Sequence, residues 1–330
     1  MKRSLPLLLL LLLSLHTAFA QEYISEAKSG YSGGFNTNVQ QLPLSVNFLF
    51  LGDWGRNGQY YQSQVSEQMG KTAATLGADF VVTAGDNFYP SGVQSAQDPQ
   101  WKYSFEDVYR SHFLQNPWYV CLGNHDYKGN VQAQIDYGKN ISRRWRLPSQ
   151  YYSKKIQLKD GGVLLLVVID TSPMLDAYYG KGDEMSANVI QQDTAQQRRW
   201  IEQTLSDTDP NIKWKVVVGH HPLYSGGKRK TSSDTKSIQL KLQPILDTYK
   251  VDAYLCGHEH DLQVIKPQGH YTTQYLSGSG CEVRPSGSTD GTLFFAAEPG
   301  FMTFSATAHQ LLVQAIHADG RVLYSNTIAK

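Results

Sequence analysis

Five apolar runs in this chain each end in a glycine followed by side chains that can hold a cation. They read Gly52-Asp53, Gly85-Asp86, Gly123-Asn124-His125, Gly219-His220 and Gly257-His258-Glu259-His260. The carboxylate of Asp86 has two oxygens and can bridge two ions, and Tyr89, three residues on, can turn a phenolate towards the same place. Oxygen and imidazole donors in this mixture suit divalent or trivalent transition metals rather than a thiolate site. A single Gly-Asp or Gly-His pair is an ordinary turn, but five of them in order point to one site. Counting His221, next to His220, five of the ten histidines fall in these clusters, whereas His112, His270, His309 and His317 read as surface or packing residues.

Positioning such groups calls for an α/β fold. Residues 45–51, 80–84, 118–122, 161–170, 214–218 and 251–256 are short aliphatic or β-branched runs that read as buried strands. All but 161–170, which closes on Asp170 alone, end in a cluster, at the carboxyl ends where open α/β sheets place their ligands. Val65, Met69, Ala73 and Leu76 form an apolar stripe that predicts a helix within 59–76, and with it a β-α-β unit. Further helices are predicted near 103–113, 193–205 and 238–249, and Asp319-Gly320 marks a hairpin between 311–316 and 322–328. Residues 172–192, rich in Gly, Asp and Asn, predict an exposed loop open to proteases. In the basic loop 225–234, Lys228, Arg229 and Lys230 read as solvated charges, with phosphate binding as the other reading.

A net charge of +1 leaves no electrostatic footprint for nucleic acid. Lys2 and Arg3 ahead of an apolar run, then Ala18-Phe19-Ala20, predict an export signal cut after Ala20. The run is shorter than the ~20 residues of a membrane span. The expected organisation is a signal peptide at 1–20, a lead-in at 21–44 and one domain at 45–330. The mature protein is expected to be secreted or extracytoplasmic, periplasmic or extracellular, without a membrane span. Cys121, Cys256 and Cys281 allow one disulfide, and the sequence does not choose the pair; Cys121 and Cys256 fall in strands, where a free buried thiol is a small hydrophobe. Asn140-Ile141-Ser142 is a glycosylation sequon.

Gly52-Asp53-Trp54-Gly55, Gly85-Asp86-Asn87-Phe88-Tyr89, Gly123-Asn124-His125-Asp126, Val217-Val218-Gly219-His220 and Gly257-His258-Glu259-His260 resemble the five metal motifs of the purple acid phosphatases. The likeness is greatest to the small, tartrate-resistant mammalian type, within the calcineurin-like metallophosphoesterases, and it spans nearly all of the mature chain. It implies a four-layer αββα sandwich of two mixed β-sheets flanked by helices. It also implies that Asp53, Tyr89 and His260 hold Fe(III), that Asn124, His220 and His258 hold a divalent ion (Fe, Zn or Mn), and that Asp86 bridges the two. His258 and His260 lie two apart, so an extended strand would aim them alike, and a turn at the strand end is needed to serve two ions. The wider superfamily opens with Asp-x-His; here Gly55 stands where that His would be and Tyr89 supplies the donor. In the family this phenolate favours Fe(III) and gives the purple colour.

With such ions the site is net positive and suits a phosphomonoester dianion. Two ions ~3.5–4 Å apart polarise the ester and hold the attacking oxygen. A trivalent ion acidifies its water beyond the value of about 7 reached on zinc, so attack by a metal-bound hydroxide is expected to persist in acid. The expected function is thus a monomeric acid phosphatase acting on small phosphomonoesters, with phosphoproteins and nucleotides as further candidate substrates. His125 matches a family histidine that contacts the substrate phosphate or the leaving group, an orienting hydrogen bond being the other reading. The small members also use a second His after the Gly-His motif, and residues 223–233 contain none. That gap leaves the leaving-group proton donor open and speaks for one alternative, a metal- or phosphate-binding protein of impaired catalysis; a phosphodiesterase or nucleotidase on the same scaffold and a redox protein are the others. His221 stands where an aromatic is usual and inherits no role. The 172–192 stretch lies where small members carry a protease-sensitive repression loop, and cutting it is expected to raise activity.

Overall fold

The computed structural model describes residues 38–330, so the expected signal peptide and most of the lead-in lie outside the described residues. In chain order the elements are β1 (Val46–Leu51), α1 (Gln62–Leu76), β2 (Phe80–Thr83), β3 (Trp118–Val120), α2 (Val131–Asn140), β4 (Trp145–Arg146), β5 (Tyr152–Gln157) and β6 (Val163–Val168). There follow α3 (Glu184–Val189), α4 (Thr194–Leu205), β7 (Ile212–Val218), α5 (Ser233–Thr248), β8 (Ala253–Cys256), β9 (Leu262–Ile265) and β10 (Thr273–Ser277). The chain closes with β11 (Thr292–Ala296), β12 (Gly300–Ala306), β13 (Gln310–His317) and β14 (Val322–Ala329).

The strands form two seven-stranded sheets, ordered β14-β13-β12-β1-β2-β3-β4 and β11-β9-β10-β8-β7-β6-β5. Both are mixed. In the first, β1, β2, β3 and β4 run parallel and β12 joins β1 antiparallel. In the second, β6, β7, β8 and β10 run parallel, with antiparallel partners outside them. Parallel pairing sets the ends of β1, β2 and β3 side by side, with Leu51 opposite Thr83 and Thr83 opposite Val120. In the second sheet Val218 likewise faces Leu255. The all-apolar string of β6 and that of β1, apolar but for Asn47, are buried along their whole length, as central strands covered on both faces require. The Phe48 ring stacks between Phe80 and Phe304 at 4.7 Å from each, tying β1 to both its neighbours.

Two expectations need correction. Residues 103–113 do not form one helix: a π-helical turn, Trp101–Glu106, and a 3-10 turn, His112–Leu114, take its place. Aromatic packing explains the break. Trp101, Phe105 and Tyr109 are buried in one cluster with Trp54, Trp118 and Trp145, and rings this large dictate where the backbone runs. Residues 172–192 are not a loose loop either. They fold into two 3-10 turns and α3, whose N-cap Asp183 accepts a hydrogen bond from Ser186 N at 2.8 Å. Met174, Leu175, Tyr178, Met185 and Val189 are buried, so continuous exposure shrinks to 180–184. The three cysteines are buried and unpaired. Among the described residues, no helix is long and apolar enough to cross a membrane.

Candidate metal centre

Asp53 follows β1, Asp86 and Tyr89 follow β2, Asn124 and His125 follow β3, His220 follows β7, and His258 and His260 follow β8. The buried Trp54 side chain, edge-on to Tyr109 at 5.3 Å, pins the first of these loops into the aromatic cluster. Asp53, Asp86 and His258 adopt φ of +57°, +50° and +70°, in the left-handed region that costs a side-chain-bearing residue ~1–3 kcal/mol. At His258 the payoff is direction: its Nδ1 lies 3.0 Å from His220 Nε2, while His260 Nε2 turns to the Tyr89 hydroxyl at 3.3 Å. Glycine is required at two of the approaches. A Cβ on Gly123 would strike Asp86 Oδ1, and one on Gly257 would strike Asp53 Oδ2.

Around the Tyr89 hydroxyl stand Asp53 Oδ1 at 3.0 Å, Asp86 Oδ2 at 2.9 Å and His260 Nε2 at 3.3 Å. One hydroxyl proton cannot satisfy three acceptors, but a cation can. On the other side, His220 Nδ1 lies 2.7 Å from the Ala84 carbonyl, which fixes the proton on that nitrogen. Its Nε2 lone pair then faces Asn124 Oδ1 at 3.1 Å, His258 Nδ1 at 3.0 Å and Asp86 Oδ1 at 3.5 Å. Asp86 thus faces both groups of donors.

Electrostatics agrees. Burial holds His220 below the ordinary imidazole range; burial and neighbouring His221 do the same to His258; burial and Arg284 bring His260 down to about 3. Neutral imidazoles are what a metal needs. Burial, then Asp86, pushes Asp53 well up. Burial pushes Asp86 up too, but His220 and His125 outweigh it and hold the carboxyl at about 2. Burial, Asp53 and Asp86 push the Tyr89 phenol well up. Burying an ionised carboxylate costs several kcal/mol unless a partner compensates, so neutral nitrogens and crowded buried oxygens together fit a pair of cations. Asp53, Asp86 and His220 have ligand atoms within 4.8 Å of one another, and so does a second group, His220, His221 and His258. It fits less well, because both ring nitrogens of His221 are engaged, by Thr171 Oγ1 and by the Tyr178 hydroxyl, each at 2.8 Å.

His125 sits at the mouth, partly exposed, its ring 4.5 Å from that of Tyr89. Nδ1 lies 2.6 Å from the Pro90 carbonyl, so the proton sits there, and Nε2 lies 3.5 Å from Lys128 Nζ and 4.0 Å from Asp86 Oδ2. Several supporting residues escaped the reading of motifs. Asp126 is buried and accepts from Gly123 N, Asn87 N and Gln134 Nε2, joining the β2 and β3 loops; it stands within a quoted motif, and only its place in the fold shows its use. The Arg56 guanidinium lies 4.2 Å from the centre of the Tyr89 ring and pairs with Glu282 at 2.8 Å. Glu259 faces away from both groups of donors and towards the 225–230 loop.

The calcineurin-like phosphoesterase family matches residues 46–262. Purple acid phosphatase 4 of Arabidopsis thaliana is 35% identical over 298 residues, covering 87% of this chain and 85% of the relative. Tartrate-resistant acid phosphatase type 5 of Sus scrofa is 33% identical over 318 residues, covering 90% and 91%. Among solved structures, the protein described as "GAP50 the anchor in the inner membrane complex of Plasmodium" aligns with a TM-score of 0.75 at 23% identity, over 87% of this chain and 89% of that one. Purple acid phosphatase PPD1 of yellow lupin (Lupinus luteus) aligns with a TM-score of 0.62 at 19% identity, over 88% and 54%. At those identities the structures attest the fold alone, and the sequence relatives carry the family. The chain belongs to the purple acid phosphatases, within the calcineurin-like phosphoesterases, and is a phosphatase.

Proposed function

We propose that this phosphatase hydrolyses phosphomonoesters in acid at a binuclear Fe(III)–M(II) centre, M being Fe, Zn or Mn. Asp53, Tyr89 and His260 would hold the ferric ion, Asn124, His220 and His258 the divalent ion, and Asp86 would bridge them. The observation that carries this reading is the Tyr89 hydroxyl, held within 3.3 Å of two buried carboxylates and an imidazole. Bound there, the ions would supply Lewis acidity and a water that ionises at acid pH. The chain's own residues do the rest. Asp86 is fixed by the His125 amide, which donates to Oδ1 at 2.7 Å. The Ala84 carbonyl keeps His220 in the tautomer whose Nε2 faces the cleft. His125, its Nδ1 on the Pro90 carbonyl and its Nε2 beside Lys128 Nζ, stands at the mouth where it would meet the ester phosphate or the leaving group. Export through the amino-terminal signal and action as a monomer complete the proposal.

The test is a visible spectrum and metal analysis of the purified protein, with hydrolysis of an aryl phosphate at pH 5. A purple band lost together with activity in Tyr89→Phe is the expected result. A colourless protein active with two zinc or manganese ions would overturn the ferric assignment, and a purple protein inert towards monoesters would overturn the reaction.

A further inference from the structure

The basic loop after Gly219-His220 leaves Lys228 and Lys230 exposed but draws Arg229 inward. It is tied down by Glu259, whose carboxylate is 1% exposed and whose sequence neighbours are His258 and His260. Ser225 Oγ donates to Glu259 Oε1 at 2.8 Å, the Arg229 amide donates to the same oxygen, and Gly227 N donates to Ser225 Oγ at 3.0 Å. Gly226 N donates to Gln263 Oε1 at 2.8 Å, and Lys230 Nζ reaches the Ser288 carbonyl at 2.9 Å. A Cβ on Gly226 would collide with the Gly287 carbonyl. The loop is therefore fixed at both flanks, and one side chain is aimed by it. Arg229 Nη1 donates to the His258 carbonyl at 3.1 Å and stands 3.5 Å from Glu259 Oε2.

We infer that Arg229 is a substrate contact: a guanidinium held at the mouth of the site by Glu259, to bind the non-bridging oxygens of the ester phosphate. This rests on the function proposed above. Of the five N–H donors an arginine carries, those on Nε and Nη2 make no hydrogen bond among the described residues, and the side chain is 24% exposed. The charge reaches across the whole cleft, bearing on Asp53, His220, His221, His258 and His260. A cation beside a pair of metal ions is repelled by them. It stays only if an anion sits nearby, and Glu259 provides that anion permanently while a phosphate provides it during turnover. The planar fork also matches phosphate geometry.

The experiment measures KM and kcat for an aryl phosphate and, by calorimetry on the metal-loaded protein, the Kd of inorganic phosphate. Arg229→Met should raise both KM and that Kd about tenfold, with kcat falling less. Arg229→Lys, which keeps the charge but not the fork, and Glu259→Gln, which keeps the guanidinium but loosens its seat, should both fall between Arg229→Met and the native protein. Lys228→Met, an exposed neighbour on the same loop, should change neither constant. A folded Arg229→Met protein whose KM and phosphate Kd stay within twofold of native overturns the inference. So does a Glu259→Gln protein whose KM and phosphate Kd match the native values, since the seat that aims the guanidinium would then count for nothing. Should Arg229→Met fail to fold, Arg229→Lys and Glu259→Gln decide by the same two constants. A native protein that neither binds phosphate nor cleaves the ester defeats the proposed function itself, whereas normal behaviour of both native and Arg229→Met defeats only the role of Arg229.

Discussion

Asp53, Asp86, Tyr89 and Asn124 stand at the ends of β1, β2 and β3 in the first sheet, whereas His220, His258 and His260 stand at the ends of β7 and β8 in the second. One sheet brings oxygen and the other nitrogen. Neither half suffices: the first alone is a cluster of buried anions, and the second alone is a set of neutral rings. Their meeting is enforced by hydrogen bonds across the cleft, Gly52 N to the Ser277 carbonyl at 2.6 Å, His258 N to Asp53 Oδ2 at 2.8 Å and His220 Nδ1 to the Ala84 carbonyl at 2.7 Å. Site assembly and sheet packing are therefore one event, and metal binding should stabilise the fold by mass action.

The difference is broken most severely at the residue that faces both groups of donors. Asp86→Ala should abolish binding of both ions, not one, and lower kcat/KM by far more than the ~10–100-fold that an outer-shell change costs. Metal content per chain is the measurement, and retention of one full equivalent would show that Asp86 does not bridge. Tyr89→Phe removes a donor from the oxygen side only. It should erase the visible band and weaken the ion seated by Asp53 and His260, leaving the other ion's occupancy near native by metal analysis.

His221 sharpens the comparison from the nitrogen side. It crowds His220 and His258 closely enough to be mistaken for a ligand, yet it holds Thr171 and Tyr178 instead. His221→Phe should leave metal content unchanged and lower thermal stability by about 1–3 kcal/mol, the penalty for a stranded buried hydroxyl at Tyr178. A loss of metal in that variant would move His221 into the ligand set.

The sequence made the strand ends legible because each β-strand there is a short apolar run cut off by a glycine, and that grammar survives without knowledge of the partner strand. Asp53, Asp86, Asn124, His220, His258 and His260 were all visible in this way, and their convergence is what parallel register does to adjacent strand ends. What could not be read depends on contacts distant in sequence. The Trp101 to Leu114 stretch has helical composition, but its rings are claimed by Trp54 and Trp145. Residues 172–192 look polar in composition, and their apolar members are buried only because the site loops offer them a surface. Arg229 and Glu259 are thirty positions apart, and nothing local says that one aims the other.

Asp170 is the carboxylate that departs from the division between the sheets. It ends β6 on the nitrogen side, yet it takes no place among the candidate ligands. The Tyr127 hydroxyl, from the loop after β3, donates to its Oδ2, and Ser172 N donates to Oδ1 at 3.2 Å, so it links the two sheets' loops. Burial pushes its carboxyl up to about 7, with the Tyr127 and Ser172 bonds pulling partly back. In the unfolded chain the value is about 3.9. The folded state therefore binds this proton more tightly, and the contribution of Asp170 to stability is fully present below pH ~4 and lost as pH rises towards 7. Asn cannot titrate and keeps an acceptor for Ser172. Asp170→Asn should accordingly gain on the native protein as pH rises, by up to about 1.4 kcal/mol per pH unit within that window. Thermal melts of both metal-loaded proteins between pH 4.5 and 7.5 test this, because the metals' own pH dependence cancels in the difference. A difference that is flat, or that falls with pH, would mean that Asp170 is ionised in the fold and that its bond to Tyr127 is charge-assisted.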